Sequence, residues 1–148
     1  MSFAFPSCLK EVIKMRNLKR IEVEIRILER LFGIHNVSYA DDGSWIKMSN
    51  YKLPRTECEY NLDSITLQII IPKEYDNIAI SEVYVDSDLR IRKKNRFVMP
   101  PHIGNEQDAI GKGYLWLCFH PAEEFIGILD FINILKTYFT NPFKYQKL

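Results

Sequence analysis

The sequence predicts an α+β domain built as an N-terminal helix, a four-stranded antiparallel meander, a long loop carrying one cysteine, and a C-terminal helix. Three observations predict it. Apolar residues at three- and four-residue steps occupy both ends of the chain, and apolar residues at two-residue steps fill its middle. The segments joining the middle runs are too short for crossover helices, which favours antiparallel neighbours.

From Leu18 to Phe32 the apolar residues Leu18, Ile21, Ile25, Leu28 and Phe32 lie on one helical face, with Lys19, Arg20, Glu22, Glu24, Arg26, Glu29 and Arg30 between them. Gly33 follows as the stop. The preceding Pro6 to Arg16, with Leu9, Val12 and Ile13, is either a separate short helix or an extension of the same one. After Gly33 the period drops to two. Val37 to Tyr39 and Ser44 to Met48 flank Asp41-Asp42-Gly43, and Asp-Gly between two extended runs signals a hairpin because glycine tolerates the positive φ such turns need. Two further strands are expected, Ser64 to Ile71 and Glu82 to Val85, joined through Pro72 to Ile80. Arg92 to Leu115 then reads as a long polar loop broken by Pro100, Pro101, Gly104, Gly111 and Gly113, and such loops are more often functional than decorative. The closing helix runs from about Glu123 to Phe139 and stops at Pro142.

The chain has 148 residues, the length of one domain spanning 1–148 with 1–17 as an N-terminal extension or short helix. Twenty Lys and Arg stand against 19 Asp and Glu, a formal charge of +1, so nothing global draws the protein to nucleic acid or an anionic membrane. Cys8, Cys58 and Cys118 are odd in number and lack C-x-x-C spacing, which argues against a disulfide framework and a zinc ribbon. The start lacks a basic region followed by an apolar run, and no apolar stretch approaches ~18 residues. The expectation is a soluble cytoplasmic protein with free thiols, no metal and no cofactor. Ile110-Gly111-Lys112-Gly113 lacks the G-x-x-x-x-G-K-[ST] spacing of a phosphate loop, and His102, His120 and Cys118 lack metal-ligand spacing.

This order of segments resembles the ubiquitin-conjugating enzyme superfamily, in particular its divergent bacterial branches. Ile71-Pro72-Lys73-Glu74-Tyr75 resembles the family's apolar-Pro-x-x-Tyr turn, and Ile80 to Val85 the strand after it. Leu117-Cys118-Phe119 resembles the cysteine segment, Phe125 sits near the family's usual tryptophan, and Thr140-Asn141-Pro142 is similar to the closing Asn-Pro turn. The resemblance covers about residues 18–142. It departs from the family at the His-Pro-Asn tripeptide, because the position eight residues before the cysteine is Ile110 and the nearest material is Pro101-His102-Ile103-Gly104-Asn105. Bacterial members often lack the tripeptide too. The resemblance implies a transferase in which Cys118 accepts a ubiquitin-like protein as a thioester from an activating enzyme and passes it to an amine, usually lysine, on a target protein. It also implies that the first helix receives the activating enzyme, and a setting in bacterial antiviral defence. The alternative is an inactive adaptor of the same fold that binds a ubiquitin-like protein or an activating partner.

A cysteine thiol, with a usual pKa of ~8.5, is a few per cent thiolate at neutral pH and still the best soft nucleophile in a protein. Exchange between two thioesters is near balance, so no strong base is demanded. His120 lies two residues beyond Cys118, ~6.5 Å along an extended chain, within reach through water. The plain alternative is that Cys118 is a core thiol. Cys8 and Cys58 have no histidine near them in sequence and read as incidental. For the carbonyl oxygen that becomes negative during aminolysis, the candidate donors are Asn105, His102 and His120, with backbone N–H groups around Gly111 and Gly113. Glu106 or Asp108 would orient or deprotonate the incoming lysine, or are simply solvated. The run Arg90-Ile91-Arg92-Lys93-Lys94-Asn95-Arg96 is either a solvated strand end or a surface for an acidic protein partner.

Overall fold

The computed structural model describes residues 16–56, 58–104, 113–119 and 127–145. Helix α1 spans Leu18–Phe32. Its start is capped by the Asn17 side chain, which accepts the Arg20 N–H, and Gly33 ends it at φ 95° with its N–H on the Glu29 carbonyl. Ile21, Ile25 and Leu28 form its buried face, as the three- and four-residue spacing predicts. A short 3-10 turn, Ile34–Asn36, leads into the strands β1 (Val37–Tyr39), β2 (Trp45–Lys52), β3 (Ser64–Ile70) and β4 (Glu82–Asp86). These are followed by β5 (Ile91–Lys93), β6 (Arg96–Val98), β7 (Tyr114–Cys118) and helix α2 (Ile128–Thr140).

The first four strands form the expected antiparallel meander, and the Asp-Gly turn holds Gly43 at φ 74° with its N–H on the Ala40 carbonyl. The sheet itself has five strands, in the order β1-β2-β3-β4-β7. The four-stranded expectation is therefore corrected: the cysteine segment is itself a strand, antiparallel to β4. The expected long loop is corrected in the same way. Its first part is the β5–β6 hairpin, a separate two-stranded unit, and its last residues enter β7, while residues 105–112 lie outside the described part. Three-residue strands rich in charge leave little alternation for a sequence reading to find. The closing helix as described begins at Ile128, after an extended Gly127 (φ −74°, ψ 171°) whose N–H is taken by the Asp130 carboxylate at 3.3 Å, and the expected start near Glu123 lies outside the described residues.

One apolar core joins the inward residues of the sheet, among them Ile46, Leu67, Ile69, Val83, Val85, Leu115 and Leu117, to Ile21, Ile25 and Leu28 of α1 and Phe131, Leu135 and Phe139 of α2. Both helices thus lie against the same sheet face. The turn after β3 ties them together. Tyr75 is buried there, and its hydroxyl donates to Glu24 Oε2 at 2.5 Å. The same carboxylate pairs with Arg20 at 3.2 Å and accepts the Ile128 N–H at 3.4 Å. The Arg20 guanidinium lies over the Tyr75 ring, 3.9 Å from its centre, and reaches Asp76 at 3.1 Å. Among the described residues no helix is long and apolar enough to cross a membrane.

Candidate active site

Cys118 is the last residue of β7, and the strand's alternation decides which way it points. Leu115, Leu117 and Phe119 are fully buried, so Tyr114, Trp116 and Cys118 project from the opposite face, which neither described α-helix covers. The thiol is free and half-buried, not a core group. Across the strand pair its partner is Glu82. The Phe119 N–H donates to the Ser81 carbonyl at 2.8 Å, which makes Cys118 and Glu82 a non-hydrogen-bonded pair. In such pairs the Cα atoms are ~4.5 Å apart and the side chains stand closest. A carboxylate therefore faces the thiol's position. Trp116 opposite Tyr84 and Tyr114 opposite Asp86 continue the same row, with the rings of Tyr84 and Tyr114 4.4 Å apart.

The outer edge of β7 is not open. The Cys118 N–H donates to the His102 carbonyl at 3.1 Å, Ile103 bridges Leu117, and the Gly104 N–H donates to the Trp116 carbonyl at 2.8 Å. Gly104 lies against the Trp116 indole so closely that an added Cβ would stand 2.9 Å from its Cε3. The Cys118 N–H is spent on this pairing and the Phe119 N–H on the Ser81 carbonyl of the β4 side, so neither is available as a donor for a negative oxygen. The Trp116 indole N–H is buried and has no hydrogen-bond partner among the described residues.

His102 comes to Cys118 through its main chain, not its ring. Its backbone is left-handed (φ 68°), and the imidazole packs with Phe119, Tyr138 and Tyr145 at centroid distances of 6.4, 5.8 and 5.5 Å. Its Nε2 lies 3.3 Å from the Tyr145 carbonyl, and the Tyr138 hydroxyl donates to the neighbouring Pro101 carbonyl. Burial holds the Tyr138 hydroxyl neutral far above the usual tyrosine range, with the nearby Tyr60 adding to the shift. The arrangement suits a positioning residue that holds the edge of β7.

Asn105 and His120 lie outside the described residues, as do Glu106, Asp108, Gly111, Cys8 and Phe125. Cys58 sits between β2 and β3 beside the end of α2, its Sγ 3.7 Å from Asn141 Oδ1. Glu82 shows in the sequence only as the start of a strand, not as a neighbour of the cysteine. Its place opposite Cys118 depends on the register between two strands separated by residues 87–113, for which no local signal exists. Comparisons with protein-family models, curated proteins and solved structures return no match.

Proposed function

We propose that the chain is a conjugating enzyme of the ubiquitin-conjugating type, with Cys118 as the residue that carries the ubiquitin-like protein. The observation that carries this reading is the position of the thiol. It stands at the end of a strand, on the face opposite the two described α-helices, in the order helix, meander with its Pro72-x-x-Tyr75 turn, and cysteine strand. In the first step the Cys118 thiolate attacks the thioester carbonyl presented by an activating enzyme. A new C–S bond forms, the old one breaks, and the departing thiolate takes up the proton that Cys118 gave to water. In the second step an amine attacks the Cys118 thioester, a C–N bond forms, and Cys118 leaves as thiolate. The amine's proton passes to water or to Glu82, whose position opposite the thiol suits an approaching ammonium. His102 acts through its carbonyl, by fixing the Cys118 backbone.

Two measurements test the reading. With an activating enzyme, ATP and a ubiquitin-like protein, the wild-type chain forms an adduct on non-reducing gels that thiol cleaves and Cys118→Ala lacks. An adduct that survives in Cys118→Ala, or a stable complex with no adduct in either protein, overturns the enzyme reading and favours the adaptor. In a Cys8→Ser/Cys58→Ser background, maleimide should label Cys118 in the folded state. Labelling only after unfolding would place the thiol out of reach of any thioester.

A further inference from the structure

Five cations crowd the segment Arg90 to Arg96, and among the described residues only Arg90 and Arg92 have hydrogen-bond or ion-pair partners. The Arg90 guanidinium turns back to donate to the carbonyls of Ser87 and Leu89 at 2.8 and 2.7 Å. Arg92 pairs with Glu59 at 2.8 Å and lies over the Phe97 ring, 4.7 Å from its centre. Lys93, Lys94 and Arg96 are exposed and have no acidic partner among the described residues. The base of the hairpin is anchored by fully buried Ile91, which bridges Tyr60, and by the Arg92 N–H on the Glu59 carbonyl at 2.8 Å. The tip is therefore held out on a fixed stem.

Its sequence works against its own folding. Lys93 and Arg96 are direct cross-strand partners, an arrangement in which like charges repel. Between them the two-residue turn places Lys94 at φ 60°, a conformation that favours glycine or asparagine. Local conflicts of this kind gather at functional surfaces. Two aromatic rings flank the tip: Phe97 is 41% exposed, and Phe143 is 40% exposed with the Lys93 ammonium 5.0 Å from its ring centre.

We infer that the β5–β6 tip is a docking surface for an acidic segment of a partner protein, its carboxylates meeting Lys93, Lys94 and Arg96 and an apolar side chain lying on Phe97 or Phe143. Three cations without an acidic partner among the described residues, in a chain of formal charge +1, fall short of a site making about six to ten phosphate contacts, whose affinity for nucleic acid rests on that number. The two exposed rings match a peptide that alternates acidic and apolar residues. This reading does not depend on what Cys118 does.

The test uses the whole chain and a fluorescein-labelled oligoglutamate peptide with a central phenylalanine, followed by anisotropy at low salt. Lys93→Gln/Lys94→Gln/Arg96→Gln should bind about tenfold to hundredfold more weakly. The control Lys47→Gln/Lys52→Gln, which removes two cations elsewhere, should bind as wild type does. Equal losses in both variants reduce the effect to general charge and overturn the proposal. Tighter binding of a single-stranded RNA of matched charge, lost in the hairpin variant, also overturns it in favour of a nucleic-acid surface. Arg96→Gln should in addition raise Tm by about 1–3 °C, because it relieves the repulsion with Lys93. A fall of that size would show that the charge serves the fold and would remove the basis of the inference.

Discussion

The two faces of the five-stranded sheet come from the same strands, and they differ in everything a side chain can do. On the helix-covered face Ile65, Leu67, Ile69, Val83, Val85, Leu115 and Leu117 are at most 2% exposed. On the other face Lys47, Gln68, Glu82, Tyr84, Trp116 and Cys118 all keep contact with solvent. Because neighbours on a strand point to opposite faces, burying Leu117 and Phe119 is what delivers Cys118 outward. A slip of one residue would place the thiol in the core and a leucine at the surface. The packing of one face is thus the cause of the chemistry available on the other.

The largest break of this comparison is made at adjacent positions. Leu117→Ala removes a fully buried side chain between sheet and helices and should cost about 2–5 kcal/mol in urea unfolding. Cys118→Ala, one residue on and facing away, should cost less than about 1 kcal/mol. Similar costs at the two sites would mean that Cys118 is packed as a core residue, and the contrast between the faces would fail there.

The covered face was also the legible one. The spacing of Ile21, Ile25 and Leu28 and the alternation of Ile65, Leu67 and Ile69 show in the sequence because one-sided burial imposes a period on the residues that do it. The open face has no such period. Tyr84, Trp116 and Glu82 carry no shared pattern, and only the register of β4 with β7 brings them to Cys118. The cysteine's place after a long stretch and before a helix was readable. That the stretch holds a hairpin and sends residues 102–104 along β7 was not, since both features rest on pairings distant in sequence. The His102 ring gave no sign of joining Phe119, Tyr138 and Tyr145, because an aromatic cluster drawn from three segments leaves no local signature.

Alkali should weaken the fold chiefly through the buried tyrosines Tyr138 and Tyr75, whose pKa values burial raises furthest. Burial raises the folded-state pKa of Tyr138, and burial with the hydrogen bond to Glu24 raises that of Tyr75. Below pH ~10, the usual tyrosine value, both folded and unfolded chains hold these protons and no stability is lost. Above it the unfolded chain releases protons that the folded chain keeps, so the unfolded state binds fewer and stability falls as pH rises. For Tyr138 alone the slope is about 1.4 kcal/mol per pH unit. Tyr138→Phe should flatten the loss between pH 10 and 11 in denaturant titrations, at a neutral-pH cost of about 1 kcal/mol for the lost bond to the Pro101 carbonyl. An unchanged alkaline slope in that variant would show that Tyr138 titrates alike in both states.

The smallest effect sharpens the comparison at the edge where the faces meet. Gly104 has an ordinary backbone, so its role is space, and its missing Cβ leaves room for the Trp116 indole on the Cys118 side of β7. Gly104→Ala puts a methyl group 2.9 Å from Trp116 Cε3, so the ring or the 102–104 segment must shift. Overpacking of this kind costs about 1–3 kcal/mol in a core, and the lower end applies at an edge where the segment can move. The shift should expose the indole and move tryptophan emission to longer wavelength. It should also loosen the bond from the Cys118 N–H to the His102 carbonyl and so speed maleimide labelling of the thiol. Leu117 remains buried in the variant, so the covered face should keep its unfolding cooperativity. A red shift with unchanged labelling would show that Trp116 moves without the edge of β7, and that the segment covers the strand without setting the cysteine.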